Sequence, residues 1–508
     1  MGRELKEKCV TMYVFLMLLI FPLYYRNNYI DILRAKRNFF LIVTGIFSLC
    51  MIFIEICMGN KERSKEKWGL LEYLVSGEIG VLVISSFKSG KGVDAFLGLS
   101  GRYLGALAMI LGIFAMLWIG KYLVWSVVLN WGFLIGSGMV FLLQFLNQCN
   151  LDILKMKENL VENLHYDFLS TIGNKNFNAT FDSMVIPIGM VFYLLCKEKF
   201  SKRIYGGWLF LGFSGMVCCR SDSVYLGVGT AFVILCGYAF EKREYMERFF
   251  ELVGILIAAF FVLWLYPKWF GQWVYPMDGI SPIFLDEKII VVGAVMALFG
   301  KYMVCGKKDW EDQCLWKRIQ KGYVGISIGV LTILIAFFVY FNFLRGNRSV
   351  DGWASCFYFD DTWGTYRGYV WKRSIQIFWR QSLWEKLFGS GMTGFGDLME
   401  VYYGTEIPYG RFIDAHNEML QFLITTGILG VIFYFGILIY LLIESIRAWR
   451  KNEVSLFGIL GITSFLTQGL VNNPQAATTP LLFIGLGIFL NNIKQIKGCT
   501  VFNKSGHE

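Results

Sequence analysis

The sequence predicts an all-α integral membrane protein with about 12–14 transmembrane helices of roughly 20 residues each. Of its 508 residues, 56% are hydrophobic and only 17% are charged. In soluble domains about a quarter of the residues are charged, so this chain is too apolar to be wetted on all sides. The composition therefore excludes a soluble enzyme, a nucleic-acid-binding domain and a disordered scaffold.

Short polar links separate the apolar stretches and divide the chain into four regions. We expect N-terminal membrane helices in 1–170, central membrane helices in 171–343, a large loop in 344–417, and C-terminal helices with a cytoplasmic tail in 418–508. The predicted spans lie near 10–25, 39–58, 70–87, 103–119, 122–146, 179–196, 206–219, 223–240, 249–266, 284–300, 323–343, 418–443, 455–472 and 477–492.

Basic residues are concentrated in alternate links, and this predicts the orientation of the helices, because Lys and Arg are enriched on the cytoplasmic side. Arg3, Lys6 and Lys8 resemble the start of a signal peptide, but no small-residue cleavage site follows, so we expect a retained first span. The links interpreted as cytoplasmic contain Lys61/Arg63/Lys65/Lys67, Lys197/Lys199/Lys202/Arg203, Lys242/Arg243/Arg248, Lys307/Lys308/Lys317/Arg318/Lys321 and Arg447/Arg450/Lys451. One link disagrees: its basic residues would lie outside, and they are Arg26, Arg34, Lys36 and Arg37.

The longest link, 344–417, faces outward in this orientation. A connection of this length without a span of its own is usually functional. Within it, Trp371, Ile375 and Phe378 recur at helical spacing between basic residues. This pattern predicts an amphipathic helix over Tyr369 to Leu387 that lies at the membrane surface.

The sequence gives little support for a metal or a nucleotide. The three histidines are widely separated and no C-x-x-C motif occurs. Asp351, Asp360 and Asp361 can hold a divalent cation on the outer face, or they are simply solvated loop acids. The G-x-G-x-x-G string that starts at Gly389 follows a helix rather than a strand, which favours a turn over a dinucleotide site. We therefore expect neither a metal nor a cofactor.

Three residues are candidates for chemistry. His416 stands at an outer membrane boundary, where a neutral imidazole can take a proton from a hydroxyl, although a capping role is the alternative. Arg220 lies in a very short link, so its charge stays at membrane depth, where charges tend to be functional or paired. Its alternative role is an ion pair with Asp222 that closes the hairpin. Arg367 opens the amphipathic helix and either binds a ligand or grips lipid headgroups.

Five short motifs follow one another along the chain. They are Gly173-Asn174 ahead of a span, Cys219-Arg220-Ser221 in a tight turn, Arg367 with Trp371 in the large loop, His416-Asn417 at the start of a span, and Gln468 with Asn472-Asn473 near the C-terminus. In this order they resemble the O-antigen ligase and O-antigen polymerase family of bacterial envelope proteins. For the family's additional basic residue in an early outer loop, the nearest counterparts are Lys88 and Lys91.

The resemblance implies a fold similar to that of the C-type membrane glycosyltransferases, with one large extracytoplasmic loop. Such proteins take a glycan from an undecaprenyl-diphosphate carrier on the outer face of the bacterial cytoplasmic membrane. They pass it to an acceptor hydroxyl without a metal or a nucleotide sugar. On this chain the resemblance implies His416 as the catalytic base, Arg220 and Arg367 as diphosphate ligands, and Asn417, Asn174 and Trp371 as supporting residues.

The family motifs leave the acceptor open. The extended, aromatic-rich outer loops favour a polymerase that joins repeat units of a surface polysaccharide. The alternatives are a ligase or a protein O-oligosaccharyltransferase, which would attach the glycan to a lipid or a protein. A transporter or flippase of lipid-linked sugars belongs to another class, and it predicts charged or broken-helix sites near mid-membrane and an internal repeat. We find neither signal in the sequence.

Overall fold

The structure, a computed structural model, describes residues 2–58, 68–271, 274–306, 313–345, 354, 357–404, 412–449 and 451–502. Helices dominate these residues, and the strand segments are β1 (Phe168–Leu169) and β2 (Gly173–Asn174), which pair antiparallel. The helices are α1 (Gly2–Leu23), α2 (Ile32–Met58), α3 (Leu70–Lys88), α4 (Val93–Leu97), α5 (Ala106–Tyr122), α6 (Val127–Gln148), α7 (Lys175–Leu195), α8 (Lys199–Cys218), α9 (Asp222–Ala239), α10 (Arg243–Phe270), α11 (Ser281–Phe284), α12 (Glu287–Gly306), α13 (Gln313–Val339), α14 (Trp363–Arg380), α15 (Leu383–Phe388), α16 (Phe395–Tyr403), α17 (Glu418–Thr425), α18 (Gly427–Trp449), α19 (Leu456–Gly469) and α20 (Thr479–Phe502).

Within the described residues, nine helices are long and apolar enough to cross a membrane. They are α2, α3, α6, α7, α9, α10, α12, α13 with the π-helical turn Tyr340–Leu344 that extends it, and α18. The prediction of an all-α, multi-pass membrane protein is therefore confirmed. The other predicted spans also fall on helices, namely α1, α5, α8, α19 and α20. The total of 12–14 spans stays a prediction.

Two large apolar cores hold the bundle together. One is built mainly from α6 to α10, and the other mainly from α1, α2, α3, α5, α18, α19 and α20. A third and smaller core joins α14 and α16, which lie within the predicted loop 344–417, to α17, which directly follows it. The large loop is therefore a folded cap rather than an extended connection.

Successive long helices alternate in direction, so their links gather at two ends of the bundle. At one end, which we call the basic end, Lys6 contacts Glu55 and Lys242 contacts Glu453. The other end carries the 149–174 link, the α8–α9 turn and the helices of the large loop. A large cavity opens there, and we call it the cavity end. The predicted cytoplasmic cations Lys61, Arg63, Lys65, Lys67, Lys307, Lys308 and Arg450 lie outside the described residues.

The basic link that disagrees with the predicted orientation lies at the cavity end and has a structural explanation. Lys36 is fully buried, and its Nζ donates to the carbonyl oxygens of Phe21 and Pro22, each at 2.7 Å. Arg37 Nη1 donates to the Gly98 carbonyl at 2.6 Å. Carbonyls at a helix C-terminus lack intrahelical donors and carry partial negative charge, so cations stabilise them. Two of these cations therefore pair with backbone carbonyls instead of facing a membrane surface.

The predicted continuous span 418–443 is wrong. The chain forms a hairpin of α17 and α18, with Gly427 in the left-handed region at φ 71°. The Phe422 and Tyr434 rings stack at 4.1 Å, and the Tyr434 hydroxyl donates to Glu418 Oε1 at 2.8 Å. The apolar pattern continues across the break because Thr426 and Gly427 at the turn are buried and the exposed side chains of α18, such as Ile432, are apolar as well, so periodicity does not reveal it. The hairpin places His416 and Glu418 below the tip at Gly427 rather than at the mouth of a long helix.

The predicted amphipathic helix from Tyr369 to Leu387 is also wrong in its bounds, because two helices, α14 and α15, cover it. Gln381 is the C-cap of the first, and Ser382 caps the second, where it accepts from the Glu385 amide in a capping box. Ile375 is 47% exposed, whereas Ile377 is fully buried, so the buried face is rotated from the predicted one.

Acidic residues are buried inside the bundle, contrary to the expectation from the sequence. Glu78 on α3 and Asp182 on α7 are both 0% exposed. Gln144 Nε2 donates to Asp182 Oδ1 at 3.0 Å, whereas the Glu78 carboxylate has no hydrogen-bond partner among the described residues. With the α17–α18 break, these carboxylates supply the charged and broken-helix features that the sequence analysis did not find.

Candidate active site

A cavity of about 750 Å³ opens at the cavity end of the bundle. It is lined by all three candidate residues, Arg220, Arg367 and His416, which come from three distant parts of the chain. Other polar and aromatic residues on its wall are Lys175, Asn176, Asp222, Asp278, Tyr358, Asp360 and Trp363. A second cavity of about 360 Å³ among α1, α6, α7, α19 and α20 is lined by no charged side chain of the described residues, so it offers no acid–base chemistry.

Arg220 is held rigidly between α8 and α9. Its φ of 52° places it in the left-handed region, and its side chain is 4% exposed. The guanidinium lies 3.9 Å from the Tyr166 ring centroid and 5.2 Å from that of Tyr275, and Nη2 donates to the Tyr166 carbonyl. Nε and Nη1 have no hydrogen-bond partner among the described residues. The predicted alternative, an ion pair with Asp222, is wrong, because Asp222 Oδ1 instead accepts from the Ile280 amide at 2.8 Å.

Arg367 is set on the cavity wall by an irregular start of α14. Gly364, Thr365 and Tyr366 all have positive φ, so the chain enters the helix through a sharp local turn. Arg367 Nε donates to the Val471 carbonyl at 3.1 Å and Nη1 donates to the Gly364 carbonyl at 2.9 Å. The side chain is therefore anchored to protein on one side, which argues against a role limited to gripping headgroups.

His416 faces Asp414, which in turn contacts Arg102, and this arrangement of three residues was not predicted from the sequence. Its Nδ1 lies 3.3 Å from Asp414 Oδ1, although the angle is not that of a normal hydrogen bond. Arg102 in turn donates to Asp414 Oδ2, from Nε at 2.7 Å and with Nη2 at 2.6 Å. Asp414 is only 1% exposed. A buried carboxylate that faces one ring nitrogen favours the neutral tautomer with its proton on Nδ1, which leaves Nε2 as the acceptor.

The same neighbours shift the pKa values of His416 and Asp414. Burial lowers the pKa of His416, and Arg102 and Arg367 lower it further, while Asp414 opposes the shift. Burial alone would raise the pKa of Asp414, but Arg102 and His416 outweigh it and hold that pKa below its ordinary value. His416 is therefore neutral and Asp414 is ionised near pH 7, which suits a general base beside an orienting carboxylate.

The three supporting residues hold backbone rather than line the cavity. Asn417 caps α17 by accepting from the Leu420 amide, and its Nδ2 donates to the Leu470 carbonyl at 2.8 Å. Trp371 Nε1 donates to the Ala415 carbonyl at 3.0 Å, immediately before His416. A third cap comes from Asn174, which accepts from the Asn176 amide at the start of α7.

The polar stretch near the C-terminus packs beside the cavity, which it lines through Val471. Gln468 Nε2 donates to Thr180 Oγ1 at 2.9 Å, and Asn472 Nδ2 donates to the same oxygen at 3.0 Å. Asn472 also donates to the carbonyl of Asn176, which lines the cavity. These contacts hold the end of α19 and the α19–α20 link against α7.

Arg102 is the functional candidate that sequence reasoning missed. The predicted early basic residues, Lys88 and Lys91, do not line the cavity, and Lys91 pairs with Asp397. Arg102 does not line the cavity either, but it contacts Asp414 beside His416. The available signal was that Arg102 immediately precedes a predicted outward-facing span end. Nothing in the sequence pointed to Asp414 as its partner.

The described residues contain no group of three or more His, Cys, Asp or Glu that could hold a metal ion. Asp351 lies outside the described residues. Asp360 Oδ1 accepts from the amide and the hydroxyl of Thr362, and Asp361 pairs with Lys372 at 2.9 Å. The two described acids of the suggested cation site therefore serve a turn and a salt bridge.

No protein-family model matches this chain, and no curated protein matches it significantly. The resemblance to the O-antigen ligase and polymerase family therefore stays a prediction from the five motifs.

Proposed function

We propose that this protein transfers a glycan from an undecaprenyl-diphosphate carrier to an acceptor hydroxyl. The observation that carries the proposal is the meeting of His416, Arg220 and Arg367 on one cavity. Arg220 and His416 have left-handed backbone, and three residues with positive φ precede Arg367. Such backbone costs on the order of 1–3 kcal/mol per non-glycine residue and tends to persist at functional sites.

The two arginines suit a diphosphate leaving group. Arg220 keeps Nε and Nη1 without protein acceptors while rings and a carbonyl fix its position. A guanidinium can contact two oxygens at once. One such contact at 4 Å is worth about 4 kcal/mol at an effective dielectric of 20, part of which is offset by desolvation. Charge builds on the diphosphate as its bond to the sugar breaks, so the arginines stabilise the transition state more than the ground state.

His416 acts as the base in a single displacement. Its Nε2 takes the proton of the acceptor hydroxyl while the hydroxyl oxygen bonds to the anomeric carbon. The bond from that carbon to the phosphate oxygen breaks, and the electron pair leaves with the diphosphate. Asp414 stabilises the imidazolium that forms, as in other base–carboxylate pairs. One displacement without a covalent intermediate inverts the anomeric configuration.

The acceptor is proposed to be another glycan, so that the enzyme polymerises repeat units of a surface polysaccharide. Tyr358 and Trp363 on the cavity wall support this choice, since aromatic walls with a few polar groups suit sugar rings. The cations of the basic end support a cytoplasmic location for that end, which would put the cavity on the outer face of the cytoplasmic membrane. A lipid or protein acceptor remains the alternative within the same chemistry.

The test compares surface glycan from cells that lack this protein after complementation with wild type, His416→Ala or Arg367→Ala. We expect single carrier-linked repeat units to accumulate, and the ladder on a gel to return only with wild type. Arg380→Ala is the matched control, because Arg380 is an exposed arginine at the far end of the same helix. Long carrier-linked chains that never reach a final acceptor would indicate a ligase. A normal ladder with His416→Ala would refute the base assignment.

A transporter of lipid-linked sugars is the second candidate, and the buried Glu78 and Asp182 with the α17–α18 break favour it. Neither carboxylate lines the cavity, and Asp182 already accepts from Gln144. If the glycan never reaches the outer face in Glu78→Gln cells, while His416→Ala cells display it normally, the transporter is the correct function.

A further inference from the structure

We infer that Lys175 is a third cation for the anionic head of the ligand, and that Asp278 competes with the ligand for it. The inference deepens the proposed function, because it adds a residue to the same diphosphate site. It concerns the ionic contacts of the cavity wall, so it can be tested by binding without any glycan transfer.

Lys175 lies beside Arg220. It is the first residue of α7, and both residues line the same cavity. They also share one aromatic ring, since Arg220 Cζ lies 3.9 Å and Lys175 Nζ 5.3 Å from the Tyr166 ring centroid. A diphosphate has anionic oxygens on two phosphorus atoms, so it can contact both cations at once.

The ion pairs that Lys175 makes are exposed enough to exchange. Its Nζ lies 3.0 Å from Asp167 Oδ1 and 3.5 Å from Asp278 Oδ2. The side chains of Lys175, Asp167 and Asp278 are 25%, 35% and 40% exposed. Ion pairs in such surroundings contribute little to stability, because water competes for both partners. A doubly charged ligand can therefore displace Asp278 from the ammonium.

Asp278 is held at the cavity rim by contacts that do not depend on Lys175. Gly279 has a φ of 61° and packs against the Asp222 carboxylate, where a Cβ atom would overlap. The next amide, that of Ile280, donates to Asp222 Oδ1. The loop thus stays docked when the ammonium moves, and Asp278 acts as a fixed competing anion.

A lysine suits this exchange better than an arginine. Its ammonium is a point charge on a flexible stem with three donors, so it can turn from one acceptor to another. Arg220 and Arg367 are anchored to backbone carbonyls and offer fixed geometry. The site would then combine two fixed guanidinium groups with one movable ammonium.

The test measures binding of two probes, inorganic pyrophosphate and farnesyl diphosphate, to the purified full-length chain in detergent. Lys175→Met should weaken binding about tenfold, the loss of one charge-assisted contact. Lys175→Arg should stay within about twofold of wild type. Asp278→Asn should strengthen binding about threefold, because the competing anion is removed. The gain from Asp278→Asn should be smaller in the Lys175→Met background than in the wild type, because no ammonium remains for Asp278 to occupy.

Lys91→Met is the matched control, since Lys91 also pairs with an aspartate, Asp397, but does not line the cavity. Wild-type binding by Lys175→Met would overturn the inference, and so would weaker binding by Asp278→Asn. Absence of binding to both probes in the wild type would also overturn it. Because Asp278→Asn is expected to gain affinity, misfolding cannot produce the supporting result.

The binding results separate this inference from the proposed function. If Lys175→Met and Asp278→Asn behave as expected but cells that lack this protein still form a normal glycan ladder, the anion site stands and glycan transfer falls. If the ladder depends on His416 but Lys175→Met binds both probes normally, glycan transfer stands and the inference about Lys175 falls. Farnesyl diphosphate binding more tightly than pyrophosphate supports a lipid-borne ligand, whereas equal binding overturns the lipid part of the inference.

Discussion

Replacing Asp414 by Asn tests whether the buried carboxylate works through His416. The substitution keeps the shape of the side chain, and it removes the negative charge that lies 3.3 Å from His416 Nδ1. It also lets the side chain present an amide donor to the ring. Both changes disfavour a ring that carries its proton on Nδ1 and accepts at Nε2.

The magnitude follows from the charge that develops on His416. In the proposed transfer the ring becomes an imidazolium as the acceptor loses its proton, and a carboxylate at 3.3 Å would stabilise it by about 5 kcal/mol at an effective dielectric of 20. Arg102 lies on the far side of Asp414 and opposes the positive ring, so the net effect is smaller. We expect Asp414→Asn to raise the barrier by about 2–4 kcal/mol, which is a rate loss of roughly 30-fold to 10³-fold.

The assay is the rate of glycan transfer in membrane vesicles at saturating carrier-linked donor, measured against pH. The base is active only when neutral, so the rate should fall as pH drops through the pKa of His416. Burial holds that pKa below the ordinary histidine value, and therefore the wild-type rate should be level above about pH 6.5. Because Asp414 raises the pKa, its loss should move the acid limb to lower pH while the plateau falls.

Two results would refute this reasoning. A wild-type plateau in Asp414→Asn would mean that the carboxylate does not orient or stabilise the base. An acid limb that moves to higher pH would mean that the titrating group is not His416 beside Asp414. Asp361→Asn is the control, because Asp361 pairs with the exposed Lys372 and does not line the cavity.

The remaining predictions concern stability, measured as thermal unfolding in detergent. Gly427→Ala should destabilise the protein by about 1–3 kcal/mol, because its φ of 71° is left-handed and a Cβ would overlap the Leu387 backbone. Gly229→Ala on α9 is its control and should be neutral or stabilising by up to about 1 kcal/mol, since a Cβ there meets open space; equal melting of the two variants would contradict the hairpin. Lys36→Met should destabilise by about 1–3 kcal/mol by leaving the carbonyls of Phe21 and Pro22 without their donor, and a higher melting temperature would show that the buried charge costs more than its hydrogen bonds contribute.

The hairpin also helps to hold the candidate base, His416, in position. His416 precedes α17, whose Asn417 is tied to the end of α19 and whose Phe422 packs on α18. The Trp371 indole holds the carbonyl just before the histidine. His416 is therefore fixed by three elements at once, which suits a group that must keep one orientation during proton transfer.

The helices could be predicted from the sequence, because an apolar surrounding decides where they form. Each predicted apolar stretch overlaps a helix, because a backbone in hydrocarbon must satisfy its hydrogen bonds within its own segment. The positions of Arg220, Arg367 and His416 at helix boundaries followed from the same pattern. The choice between their alternative roles required the structure. It shows that Arg220 and Asp222 do not pair with each other, since Arg220 contacts Tyr166 and Asp222 contacts Ile280.

By itself the sequence determined an all-α membrane bundle and the candidate residues at its helix boundaries, since transfer of apolar side chains from water depends on local composition. Only the tertiary structure decided that α17 folds back on α18, because a buried turn keeps the same apolar pattern as a continuous helix. Only the tertiary structure joined Arg102 to Asp414 across 312 residues and set that pair behind His416. An ionic contact over such a separation depends on how helices pack against one another, and no spacing along the chain encodes it.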